Sequence, residues 1–293
     1  MEKAINTLSI RDKLRTYRKH SGSFVLFLIT CLAALAVAAV FVFLVGYILV
    51  KGIPHLSPRL FEWNYTTENV SMMPAIINTL FIMVLTLIVA VPFGVFSAIY
   101  LSEYAKRGNR AVKLIRLTTE TLAGIPSIVY GLFGYLMFNV TLHFGYSMLS
   151  GALTLAIMVL PTVMRTTEEA LLAVPDSYRE GSFGLGAGRL RTVFRVVLPS
   201  ALPGIMSGVI LAMGRIVGET AALIYTAGSV TGIANGLFAS GATLSVHLYV
   251  LLSEGFYTNE AYATAVVLLV FVLVINVLSG FLTKKAALKG DSI

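Results

Sequence analysis

Residues 165–202 read RTTEEALLAVPDSYREGSFGLGAGRLRTVFRVVLPSAL, and the contrast between this charged stretch and its flanks decides the fold. Thr121–Met164, just before it, carries no formal charge, and Pro203–Gly228, just after it, carries only Arg215 and Glu219. A helix crosses the hydrocarbon core with about 20 apolar residues. The first flank is therefore long enough for two spans, turning near His143–Gly145, and the second for one. Working outward, Phe24–Val50 is uncharged, Met72–Leu101 holds another span with Pro92 inside it, and Tyr262–Leu282 holds the last. The basic approach to Phe24 resembles a signal peptide, but a cleaved apolar region is only about 7–15 residues long. An uncleaved first span is expected. Composition agrees: the 293 residues are 57% hydrophobic and 12% charged, against about 25% charged in a soluble domain. A disordered, collagen-like or ordinary soluble chain is excluded.

The expected fold is all-α, a polytopic membrane protein with six transmembrane helices. Charge placement tests the count. Of 22 Lys and Arg, 19 fall in four segments: the N-tail, residues 102–116, residues 165–202, and the C-tail from Lys284. Cytoplasmic loops carry the excess of basic residues, so these four segments are read as cytoplasmic, and six spans put both termini on that side. The expected organisation is a basic N-tail (1–23), a first span (24–50), a core of five spans (72–283) and a C-tail (284–293). A seventh span in Ala242–Leu252 would move Lys284, Lys285 and Lys289 outside; that segment is read as re-entrant or interfacial. The net charge of +8 is thus a topology signal with attraction to membrane lipid. No soluble module presents a basic face to nucleic acid.

Residues 165–202 exceed the roughly 2–8 residues usual between packed helices. Ser177 and Glu180 have the spacing of a capping box, so a short helix is expected from Tyr178, ended by Gly184, Gly186 and Gly188. The segment reads as a knob held between two hinges, suited to a groove on a partner; the bland alternative is an amphipathic helix lying on the membrane.

Glu180-Gly181-Ser182, then Gly186, then Val196-Val197-Leu198-Pro199 resembles the "EAA" loop of ATP-binding-cassette importer permeases, with Gly181 and Ser182 in place of the two alanines. The resemblance implies a type I importer permease in which Ser177, Glu180, Gly186, Leu198 and Pro199 belong to a coupling segment docked on an ATPase subunit. It extends over spans two to six. Met72–Leu80 resembles the opening of the family's core, and Gly124–Leu132 and Gly214–Ala222 resemble its phosphate-specific branch. Sulfate and molybdate relatives tend to carry Gly-Glu-Phe-Gly where this chain has Gly218-Glu219-Thr220-Ala221. Length and the short N-tail resemble the A-type of the two phosphate permease subunits. The implied partners are a second permease subunit (identical or homologous), an ATPase dimer and an extracytoplasmic phosphate-binding protein.

Arg215 and Glu219 are the sharpest site candidates. Counted from Pro203, Arg215 lies roughly 18 Å deep, where a charge costs at least about 2.5–3.5 kcal/mol. Glu219 follows at i+4, expected on the same helical face one turn further on. Arg before Glu is the weaker order for a helix pair, and arginine's planar fork suits an oxyanion. An anion pathway is expected; an internal ion pair bracing the span is the alternative. Thr220 and Glu120 are supporting candidates, although Glu120, four residues after Arg116, also reads as an end-of-helix pair. Gly124-Ile125-Pro126 breaks the third span, lining a cavity or forming a packing kink.

There is no Gly-Lys dipeptide and so no P-loop lysine, no His/Cys set with metal-ligand spacing, and no nucleophile elbow. The chain is expected to bind no cofactor and to catalyse no reaction, ATP being used by a partner. Two readings stay beside phosphate import: a permease for another oxyanion, such as sulfate or molybdate, and an ATP-independent channel or carrier.

Overall fold

The structure, a computed structural model, describes residues 21–106 and 108–290. The N-tail bases Lys3 to Lys19, Arg107 and residues 291–293 lie outside the described residues. The chain divides after Lys51 into two units. The first contributes α1 (Ser21–Gly52), a 32-residue helix with no charged residue from Phe24 to Val50.

The second unit is a helical core. It runs through α2 (Met73–Ile99), which opens into a wider π-type turn at Tyr100–Tyr104. Next come α3 (Arg110–Ala123) and α4 (Ser127–Gly134), the latter extended by a π-type turn to Thr141. Then follow α5 (Met148–Leu172), α6 (Asp176–Gly184), α7 (Arg189–Thr192) and α8 (Leu198–Gly218). The last elements are α9 (Ala221–Thr226), α10 (Leu244–Glu254) and α11 (Thr258–Gly290). Among the described residues five helices are long and apolar enough to cross a membrane, and the α3–α4 pair makes a sixth if its two arms, bent by 102°, count as one.

The turn expected near His143–Gly145 is present, with left-handed backbone at His143 (φ 56°) and Gly145 (φ 63°). The third span is broken at Gly124-Ile125-Pro126 as expected: Pro126 has no N–H to continue α3, and the chain turns sharply between Ala123 and Ser127. One expectation needs correction. The fifth span begins before Pro203, with Pro199 in the first turn of α8 and Pro203 inside it, and ends at Gly218 rather than Gly228. Helix α10, with 11 residues, is shorter than the roughly 20 a span needs.

Lipid tails are as apolar as leucine, so helices in a bilayer associate through close packing at small residues and through hydrogen bonds. Both devices are visible. A Cβ on Gly208 of α8 would stand 1.9 Å from Thr166 Oγ1 of α5, and one on Gly94 of α2 would stand 2.7 Å from Val163 Cγ1. Gly131, from the stretch that resembles the phosphate branch, and Gly134, just beyond it, let α4 approach the Ala222 backbone and the Thr154 side chain. The core then stacks in tiers. Ala98, Leu101, Leu171, Val193 and Val197 pack together at the end bearing α6. Ile82, Leu155, Met158, Ile216 and Leu223 fill the middle, and Leu60, Met72, Leu244 and Ala263 close the opposite end.

Candidate functional site

Arg215 sits in the last turn of α8, where the negative end of the helix dipole favours a cation. Glu219 lies beyond the helix in extended backbone (φ −74°, ψ 128°), because Gly218 ends α8 and the chain restarts as α9. The two side chains therefore do not share a helical face. Among the described residues Arg215 forms no ion pair. Glu219 is 9% exposed. Its Oε1 accepts the Ala222 amide at 3.1 Å, which caps α9, and its backbone carbonyl accepts from Ser245 Oγ at 2.6 Å. The internal Arg215–Glu219 pair is thus replaced by a capped carboxylate and an unpaired guanidinium. Thr220, half-buried, stands at the start of α9.

The half-buried Arg215 lines a cleft of about 590 Å³ with Thr162 of α5, Ser207, Ile210, Leu211 and Gly214 of α8, and Asn276 of α11. Hydroxyl, amide and guanidinium groups converge there on an otherwise apolar wall. Such a set suits a small, hydrogen-bonding anion. Tyr130, whose hydroxyl donates to Leu122 O at 2.8 Å across the break in span three, lies within reach of the Arg215 charge.

Glu120 occupies a different cleft, about 230 Å³, between α3 and the end of α5, with Arg116, Arg165 and Glu168. Arg116 pairs with Glu168 at 2.5 Å, not with Glu120 as the four-residue spacing indicated, and Arg165 pairs with Glu169 at 3.0 Å. That clasp ties α3 to α5.

In the charged loop, α6 starts at Asp176, and Pro175 occupies the cap position with no side-chain capping bond. Ser177 is therefore already inside the first turn, and the expected capping box does not form. Ser177, Tyr178, Glu180 and Phe183 are exposed. Gly186 takes φ +82°, which reverses the chain toward α7 at little steric cost. Leu198 and Pro199 open α8. Arg179, which the sequence reading passed over, is the best-anchored side chain of the loop. Its hydrogen bond to Glu103 raises its pKa above the usual value, so it stays charged. No local signal marks this pair, because Lys106 and Arg107, three and four residues after Glu103, offer the carboxylate nearer basic partners in the sequence.

At the opposite end of the core, Asn78 of α2 is 1% exposed. It donates to Gly232 O (2.9 Å) and Ala242 O (3.1 Å) and accepts from Ala234 N (3.0 Å). Nearby, His247 packs its ring edgewise against Tyr65 at 6.1 Å, and burial pushes its imidazole down to about 4. Among the described residues no His, Cys, Asp and Glu side chains group in threes to hold a metal ion.

Residues 90–287 match the model of the binding-protein-dependent transport system inner membrane component family. The chain belongs to this family. Members of the family are transporter subunits rather than enzymes, and this one is a multi-pass membrane protein. It is 35% identical to the probable ABC transporter permease protein YqgI of Bacillus subtilis, over 86% of this chain and 91% of that one. It is 34% identical to the phosphate transport system permease protein PstA of Haemophilus influenzae, over 78% and 82% of the two chains. The fold is that of type I ABC importer permeases: a bacterial transporter that imports the acidic polysaccharide alginate superposes with a TM-score of 0.64 at 16% identity, over 92% of this chain and 99% of that one.

Proposed function

We propose that this chain is the A-type permease subunit of an ATP-driven importer that carries inorganic phosphate from an external binding protein into the cytoplasm. The observation that carries the reading is the unpaired Arg215 in a cleft with Thr162, Ser207 and Asn276, in a chain one-third identical to a phosphate permease. The planar guanidinium offers a phosphate two parallel hydrogen bonds. Glu219 acts on the pathway indirectly, by capping α9 beside it; Thr220 helps set that corner, and Glu120 lines the separate cleft beside the Arg116–Glu168 clasp.

The end bearing α6 faces the cytoplasm, as do both termini. The exposed surface around Ser177 and Glu180 docks on an ATPase dimer, with Gly186, Leu198 and Pro199 shaping the loop behind it. ATP is bound and hydrolysed there, not on this chain. One core supplies one wall of the pathway, so a second permease subunit supplies the other. The test is reconstitution of the purified complex in liposomes. ATP-dependent uptake of labelled phosphate that excess sulfate leaves unchanged supports the reading. Uptake without ATP, or full competition by sulfate, contradicts it.

A further inference from the structure

The turn that ends α2 grips the charged loop at two points. Arg179 Nη2 donates to Glu103 Oε1 at 2.7 Å, and Nε donates to the same carboxylate at 3.2 and 3.3 Å. Nη1 donates to Val174 O (2.7 Å) and Asp176 Oδ1 (3.2 Å), and Nη2 donates again to Leu171 O (2.9 Å). Every N–H of the guanidinium has an acceptor, and Glu103 is 8% exposed. On the next residue, Tyr104, the guanidinium of Arg189 stacks at 5.3 Å from the ring centre. Ser182 and Thr192 share a 2.8 Å hydrogen bond that binds α6 to α7. A π-type turn often marks a functional position, and this one takes both Arg179 and Arg189 of the loop.

At its other end α2 is pinned again. Asn78 holds residues 232, 234 and 242 by the three bonds described above, and Thr79 Oγ1 accepts the Leu244 amide at 2.8 Å. The segment 229–243 is bonded also to the start of α5, through Leu149 N to Leu237 O and Met148 N to Ala239 O, both 2.9 Å. It therefore bridges two helices, and an axial slip of α2 against α5 deforms it. The shaft between the two attachments spans roughly 40 Å and carries no charge from Met73 to Ser102. The loop is continuous with α5 and α8 through the chain itself, whereas side chains alone join it to the end of α2.

We propose that α2 is a transmission strut: displacement of the docked loop passes through Glu103–Arg179 into α2 and is delivered by Asn78 to the segment 229–243 at the external mouth. The proposal rests on the reading that residues 165–202 dock on the ATPase. Coupling then becomes a property of two distant polar joints in series, and cutting either one interrupts it.

The experiment uses the full permease–ATPase complex with Cys31→Ser and a spin label at Val230→Cys, an exposed position in the segment. In the unmutated complex ATP changes the label's spectrum. Glu103→Gln, nearly isosteric, leaves ATPase co-purification and basal ATP hydrolysis intact and abolishes the spectral change. It also raises the ATP hydrolysed per inorganic phosphate moved about tenfold, within the range usual for a coupling energy between sites. Asn78→Ala does the same from the other end, and the double variant is no worse than either single one. A merely structural role would lower the yield of complex and leave the ATP-to-phosphate ratio of the surviving complexes unchanged. An unaltered ratio and spectrum in Glu103→Gln, or additive effects of the two substitutions, overturn the strut. No ATP response in the unmutated complex overturns the docking reading and the strut with it.

Discussion

Replacing Asn78 by alanine removes three hydrogen bonds from one buried side chain at once. Each is worth about 1 kcal/mol net when protein replaces water as partner. The two donor contacts at 2.9 and 3.1 Å and the acceptor contact at 3.0 Å therefore sum to about 3 kcal/mol. The groups left behind are Gly232 O, Ala242 O and Ala234 N. The side chain is nearly inaccessible, so these groups regain water only by local opening, which makes the figure a lower bound. The loss falls on the segment 229–243 and not on the helices, because the middle tier of the core does not depend on Asn78. Hydrogen–deuterium exchange of peptides covering residues 229–243 reads it directly. About 3 kcal/mol corresponds to protection factors lower by roughly a hundredfold. Thr79→Val is the internal calibration: besides a bond to Ala75 O within α2, it removes the one bond at the segment's end, from Leu244 N, and should cost the segment about one-third as much in free energy. Exchange in Asn78→Ala within threefold of the unmutated protein would refute the claim that this side chain holds the segment.

Two further predictions follow from packing and charge. Gly208→Val drives a side chain into Thr166 and should destabilise the α5–α8 contact by about 1–3 kcal/mol, read as a lower melting temperature in detergent; Gly214→Ala, with nothing within 4 Å of its Cβ, should be neutral. His247 is held near pKa 4 by burial, against 6.5 unfolded, so its neutral form stabilises the fold above pH 6.5 and that stability is lost as pH falls toward 4. At pH 5 the loss is about 2 kcal/mol, seen as faster exchange in α10, and His247→Phe should flatten this pH dependence.

Much of the architecture is legible because bilayer thickness imposes a length on apolar runs and topology imposes a side on basic ones. Phe24–Val50 and the turn at His143–Gly145 follow from those two rules alone. The limits have physical causes. The run from Pro203 to Gly228 looks continuous, since nothing in it forbids a helix. What ends α8 is the capping of α9 by Glu219 and the bond from Ser245, 26 residues away. Local spacing offered Glu120 to Arg116, yet Glu168, 52 residues on, takes the guanidinium. Asn78 reads as an ordinary polar residue in a span until partners more than 150 residues distant are brought to it. Arg215 was identifiable from sequence because a charge in an apolar span needs a reason; which groups surround it was not, because they come from three helices.

The central claim is that the Arg215 guanidinium is left unpaired to receive a moving oxyanion. Its most direct test is ATP-driven phosphate uptake by the reconstituted complex carrying Arg215→Gln, beside Arg215→Lys. Loss of two charge-assisted bonds, each worth about 1.5–3 kcal/mol, predicts uptake reduced at least about a hundredfold in the glutamine variant, with assembly and basal ATP hydrolysis retained. Lysine, which keeps the charge and loses the fork, should retain a measurable fraction. Phosphate uptake by Arg215→Gln at the rate of the unmutated complex would contradict the account.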